Sequence, residues 1–237
     1  MTRRRWIADQ LEGDHALLLG QNAHHLSRVL RAKAGQEFDI VCGDAVRVGR
    51  IATIDDDRVV FDLGESVPQK ESRAITLVLA IFKFDRMEWA IEKAVELGVS
   101  SIQPVIARRT DAHLATAAGK RAERWRRIAH EAAQQSRRVS IPMIADPAKL
   151  RDVLEQPRAA AIILAETEEE LSLTQALANA KDSPLALAVG PEGGWTDEEL
   201  EQFRAAGWIS ASLGHTVLRA ETAAIAALAI ATAFPQE

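Results

Sequence analysis

Residues 75–107 read ITLVLAIFKFDRMEWAIEKAVELGVSSIQPVIA. The stretch opens with a run, Ile75 to Ile81, that is apolar at every position but Thr76, the composition of a strand buried on both faces. The period then changes. From Asp85 to Leu97, Met87, Ile91, Ala94 and Val95 fall on one face of a helix, Asp85 and Glu88 have capping-box spacing, and Gly98 ends the element. SIQPVIA then returns to a strand pattern. Strand, helix and strand in 33 residues predict a parallel pair joined by a helical crossover.

The pattern continues downstream. Lys120 to Arg137 predicts a second helix, with Trp125, Ile128, Ala129 and Ala132 inward. AAIILA (160–165) and LALAV (185–189) predict further buried strands. Thr196 and Glu199 have capping-box spacing at the start of another helix. ISASL (209–213) predicts a last strand, and an apolar helix closes the chain. The fold class is therefore α/β, with a mostly parallel sheet covered on both faces.

Upstream the texture differs. Asn22 to Arg31 predicts a short helix with Asn22 as N-cap, a stripe of Leu26, Val29 and Leu30, and Arg28 and Arg31 beside it. After Gly35, FDIVC, AVRVGRIATI and RVVFDL are short strand-like runs separated by Gly43–Asp44 and Asp55–Asp57. Such runs predict a small barrel or sheet. The Asp triplet is read as a hairpin loop rather than a metal site. The polar, proline-bearing stretch 64–73 marks a domain boundary, giving domains 1–70 and 74–237.

Of the 237 residues, 47% are hydrophobic, enough for a substantial core. The single cysteine, Cys42, excludes an intramolecular disulfide and fits a reducing cytoplasm. The start MTRRRWIADQ lacks the apolar core of a secretory signal, and the longest apolar stretch, 223–234, is too short to span a bilayer. Net charge is −5, yet unevenly spread: −1 over residues 1–70, +5 over 71–138 and −9 over 139–237. The middle segment is the candidate phosphate-binding surface.

Two loops carry the chemistry. Gly190-Pro191-Glu192-Gly193-Gly194 follows the strand LALAV and precedes the capped helix, where open α/β sheets bind ligands. Leu213-Gly214-His215-Thr216-Val217-Leu218-Arg219-Ala220-Glu221 also joins a strand to a helix, with Arg219 and Glu221 bracketing the helix start. Neither G-x-G-x-x-G nor G-K-[ST] occurs, which argues against a dinucleotide or P-loop site. His24 and His25 have no further ligands at metal-binding spacing, so no metal is expected.

These segments resemble a known family. LGHTVLRAETA and GPEGGWTDEE are similar to the two C-terminal segments of the RsmE family, the 16S ribosomal RNA uridine-N3 methyltransferases. KFDRMEWAIEKAVELGV resembles the family's K-x-x-R-x-E segment, RWRRIAHEAAQQSRR its later helix with Gln135, Ser136 and Arg138, and HHLSRVLRAKAGQEF its N-terminal segment. The matches keep family order across nearly the whole chain. His215-Thr216 departs from the proline-basic pair common at that place.

The resemblance implies an N-terminal PUA-like β-barrel domain and a C-terminal SPOUT α/β domain with a trefoil knot, homodimeric, with S-adenosylmethionine as cofactor and 16S ribosomal RNA as partner, within the small subunit. It implies that Gly190, Glu192, Gly193 and Gly194 form one wall of the cofactor pocket. Leu213, Gly214, Val217 and Leu218 form the other, and Leu164 and Ala165 complete it. Arg219 is expected to stabilise negative charge developing on the uracil ring, and Glu221 to orient Arg219 or accept a proton. Arg28, Arg31, Lys83, Arg86, Arg137 and Arg138 are the candidate RNA contacts. The competing readings are a methyltransferase acting on a different RNA and a non-catalytic RNA-binding ribosome-assembly factor. The final helix, 221–234, is apolar on nearly all sides, which predicts burial against a second subunit.

Overall fold

A computed structural model describes residues 3–43, 45–68, 73–136, 138–180 and 184–235. The chain forms two compact units, Met1–Glu71 with Ala133–Ser140, and Ser72–Ala132 with Ile141–Glu237.

The first unit contains β1 (Arg5–Ile7), β2 (Gln10–Glu12), β3 (His15–Leu19), α1 (Gly20–His24), a π-helical turn His25–Val29, β4 (Glu37–Cys42), β5 (Ala45–Ile54) and β6 (Arg58–Ser66). Its sheet runs β1-β4-β5-β6-β3-β2. The two outermost strands are consecutive in the chain. Between them the Ala8 amide donates to Val41 and the Asp9 amide to Leu17, so the sheet curls back on itself. Leu18, Leu26, Ile40, Ile51, Val59 and Phe61 fill its interior. The predicted helix 22–31 is corrected in detail. It starts at Gly20 without a side-chain cap, and Asn22 instead donates to Asp9 at 3.4 Å. From His25 it widens, with the Leu30 amide bonding His25, five residues back. The wider turn breaks the expected stripe, leaving Val29 61% exposed while Leu26 is buried. Asp55–Asp57 is the β5–β6 hairpin loop.

The second unit contains β7 (Ile75–Ala80), α2 (Phe84–Glu96), β8 (Ser101–Ile106), α3 (Ala112–Gln135, its last turn counted with the first unit), β9 (Met143–Ile144), β10 (Ala148–Lys149), α4 (Leu150–Leu154), β11 (Ala160–Leu164), α5 (Leu173–Asn179), β12 (Leu185–Val189), α6 (Asp197–Ala205), β13 (Ile209–Ala211) and α7 (Ala220–Ala233). The sheet order is β10-β8-β7-β12-β11-β13, with β9 also on β8, and every pairing is parallel. All carboxyl ends therefore share one edge. β12, buried at every position, lies near the centre. Trp195, Phe203 and Trp208 stack edge to face, with centroids 4.9 and 5.0 Å apart, as part of the core that seats α6.

Capping follows the sequence at α6, where Thr196 and Glu199 form the full reciprocal box. It fails at α2. That helix starts after Lys83 without a side-chain cap, because Glu88 is drawn to Arg124 at 2.7 and 2.8 Å and to Arg121 at 3.5 Å. Helix α3 begins at Ala112, eight residues before the predicted start, through an alanine-rich turn that favours helix. Helix α7 is apolar as expected, but Leu228 and Ala224 face inward and are fully buried. Ile225 and Ile230 are half-buried.

Residues 211–212 are gripped from two flanks. The Ala211 carbonyl accepts the Ala165 amide, and the Ser212 carbonyl accepts the Leu173 amide. Successive carbonyls of an extended strand face opposite ways, so the chain leaving β11 reaches both sides of this strand.

Candidate functional site

Three loops leave the carboxyl ends of the adjacent strands β12, β11 and β13: residues 190–196, 165–172 and 212–219. They enclose a cavity of about 190 Å³. Leu164, Ala165, Gly190, Glu192, Gly194, Leu213, Gly214, Val217 and Leu218 all line it. Of the residues expected there, Gly193 stands just outside, and its carbonyl accepts from Arg109 Nη1 at 2.5 Å.

Backbone geometry explains the glycines. Gly194 has φ +69°, and a Cβ there would lie 2.9 Å from Glu166 Oε1. At Gly190 a Cβ would press on the Trp195 indole at 3.2–3.3 Å. Trp195 is buried, lines the cavity, and its Nε1 has no partner among the described residues. Buried indole N–H groups normally find an acceptor. A cradle shaped by glycines, walls of mixed polar and apolar residues and an unmatched donor fits a flat, polar-edged ligand.

Arg109, Glu166 and Trp195 were missed by sequence reasoning. Their signal was position: Arg109 follows β8, Glu166 follows β11 and Trp195 ends the glycine loop, all at the carboxyl edge. Arg109 also donates to the Trp195 carbonyl at 3.3 Å, fastening the loop after β8 to the loop after β12. Glu199, buried beneath, accepts the Thr196 amide at 2.9 Å and the Arg108 amide at 2.8 Å, joining the same two loops.

The two residues expected to do chemistry flank the start of α7. Arg219 is its exposed N-cap residue, between cavity-lining Leu218 and Ala220. Glu221 is buried at 5% exposure, and its partner is not Arg219. Arg86 Nη1 lies 3.3 Å from Glu221 Oε1 and 3.8 Å from Glu192 Oε1.

The cations expected on RNA differ in their surroundings. Arg28 is paired with Asp56, which holds the Asp56 carboxyl below its ordinary pKa, chiefly through the hydrogen bond. Arg31 is exposed and takes φ +50°, rare for a side-chain-bearing residue. Lys83 is exposed before α2. Arg138 is half-buried, and desolvation lowers its pKa. Arg137 lies outside the described residues. Within the net +5 segment, Arg86, Lys93, Arg108, Arg121, Arg124 and Arg126 pair with carboxylates. Among the described residues no helix is long and apolar enough to cross a membrane, and no group of three His, Cys, Asp or Glu is placed to hold a metal ion.

Comparison with known proteins places this geometry. Residues 69–232 match the model of an RNA methyltransferase domain, and residues 18–63 that of an RNA methyltransferase PUA domain. The chain is 35% identical to ribosomal RNA small subunit methyltransferase E of Mycobacterium bovis, over 91% of this chain and 85% of that protein. It is 30% identical to the Bacillus subtilis protein of the same name, over 89% and 87%. The crystal structure of ribosomal RNA small subunit methyltransferase E from Neisseria gonorrhoeae bound to S-adenosyl methionine superposes with a TM-score of 0.78, at 28% identity, covering 96% of this chain and 95% of that one. With both domain models and full-length relatives in agreement, the chain belongs to the ribosomal RNA small subunit methyltransferase E family, RNA methyltransferases that carry a PUA domain.

Proposed function

We propose that this protein transfers the methyl group of S-adenosylmethionine to N3 of a uridine in 16S ribosomal RNA. The observation that carries the reading is the three-loop cavity, whose glycine cradle and unmatched Trp195 N–H fit the cofactor's adenosine portion. Gly190, Glu192 and Gly194 form one wall, with Gly193 just outside it, and Leu213, Gly214, Val217 and Leu218 form the other, with Leu164 and Ala165 completing the pocket. The cofactor's sulfonium supplies an electrophilic methyl group. The chain's own residues align the base and handle its proton. Arg219, exposed beside the cavity, stabilises negative charge spreading onto the uracil oxygens as N3 loses its proton. Glu221 accepts that proton; the electron pair left on N3 forms the new bond to carbon, and the carbon–sulfur pair stays on sulfur.

The PUA-like domain spans 1–70 and the SPOUT domain 74–237 in this reading. The trefoil knot is supported by the grip of Ala165 and Leu173 on opposite flanks of residues 211–212. Arg28, Arg31, Lys83, Arg137 and Arg138 contact RNA phosphates, Arg28 by exchanging Asp56 for phosphate. The protein works in the cytoplasm as a homodimer, on RNA within the small subunit. Half-buried Ile225 and Ile230 on α7 are consistent with a partner there. Nucleoside mass spectrometry of 16S RNA from a strain lacking the gene tests the function. Loss of 3-methyluridine, restored by the gene, is expected; an unchanged nucleoside profile refutes it.

A further inference from the structure

We propose that Arg86 is a positioning residue of the methyl-transfer site, holding Glu221 by one carboxylate oxygen so that the other is left for a donor on the target base. The inference rests on the reading of Glu221 as proton acceptor given above.

Glu221 is 5% exposed. Its Oε1 is 3.3 Å from Arg86 Nη1, while its Oε2 is buried with no partner among the described residues. A buried carboxylate oxygen without a donor is costly, and the cost is relieved when a ligand supplies the missing hydrogen. Ala220 and Ala223, its neighbours along α7, and Glu192, the other carboxylate held by Arg86, line the cavity, so the Arg86–Glu221 pair lies next to the lining without being part of it. Uracil offers one imino donor on its pairing edge, N3–H, and this is the proton that methylation must remove.

Arg86 is otherwise misplaced. It sits in the first turn of α2, where the backbone dipole disfavours a cation. Two carboxylates from elsewhere in the unit, Glu221 and Glu192, compensate. One guanidinium thereby spans the glycine loop and the start of α7, the two walls of the cavity. A guanidinium stays protonated throughout, so it fixes the carboxylate without competing for the base's proton. The sequence assigned Arg86 to RNA phosphate; in the structure it pairs with buried Glu221 and with exposed Glu192.

A double-mutant cycle tests this with Arg86→Gln, Glu221→Gln and their combination. Single-turnover methylation is measured at saturating cofactor and RNA, cofactor affinity by calorimetry, and RNA affinity across a salt series. Each single variant is expected to slow transfer at least tenfold, and the double variant no further than the slower single. In Arg86→Gln the salt slope of RNA affinity should stay as in wild type, and saturating cofactor keeps any loosening of the Glu192 wall out of the measured rate. Arg86→Lys should recover part of the rate, and it replaces Arg86→Gln in the cycle if that variant does not fold. Multiplicative losses with Glu221→Gln impaired, or a salt slope shallower by about one unit, overturn the role of Arg86 and make it a phosphate contact. A wild-type rate in Glu221→Gln instead overturns the proton-acceptor reading itself.

Discussion

Glu166 Oε1 lies 2.9 Å from the point where a Cβ on Gly194 would stand. The Glu166 carboxylate fills the space that a side chain at 194 would take; that carboxylate can swing aside, whereas the left-handed backbone of Gly194 at φ +69° strains any other residue.

Gly194→Ala should therefore weaken cofactor binding at least tenfold in calorimetry. The left-handed backbone at φ +69° adds about 1 kcal/mol of strain for any L side chain. The thermal midpoint should fall by only a few degrees. Unchanged affinity would mean that the loop does not shape the pocket.

Glu199→Ala should destabilise the second unit by about 1–3 kcal/mol in urea unfolding, since it leaves the Thr196 and Arg108 amides without their acceptor. Glu199→Gln keeps an acceptor oxygen and should recover part of the loss. Equal losses in both variants would show that the hydrogen bonds are not what matters there.

Arg28 and Asp56 test the RNA face. The pair depresses the Asp56 pKa, so pairing is intact at neutral pH and is lost only as pH falls through that lowered value. Asp56→Asn frees Arg28 and should raise RNA affinity several-fold at low salt. Arg28→Ala should lower it and reduce the salt slope by about one. If neither changes filter binding, the RNA footprint excludes the π-helical turn.

The sequence carried the parallel sheet because apolar strands and capped helices alternate in it. It also carried the cavity, since loops at adjacent carboxyl ends must meet once the strands are neighbours. It did not carry the outward Val29, because a π turn leaves no periodic trace, nor the Arg86–Glu221 pair, which joins residues 135 positions apart. Charge counting along the chain likewise could not show that Arg126, Arg108 and Arg86 pair with Asp146, Glu198 and Glu221, which lie outside the middle segment. For α7, apolar on all sides, no pattern could say which residues face inward. Leu228 proved internal, which leaves Ile225 and Ile230 toward the surface.

Ile230→Glu should accordingly convert a dimer to a folded monomer in sedimentation equilibrium at micromolar concentration, with helical signal retained. A dimer that survives both this change and Ile225→Glu would place the interface away from α7.

The central claim is tested most directly by incubating the purified protein with methyl-labelled S-adenosylmethionine and small ribosomal subunits from a strain lacking the gene, then digesting the 16S RNA for nucleoside mass spectrometry. The account predicts label in 3-methyluridine at one site, abolished by Arg219→Ala with cofactor binding retained. Label in any other nucleoside, or equal labelling by the Arg219→Ala variant, would contradict it.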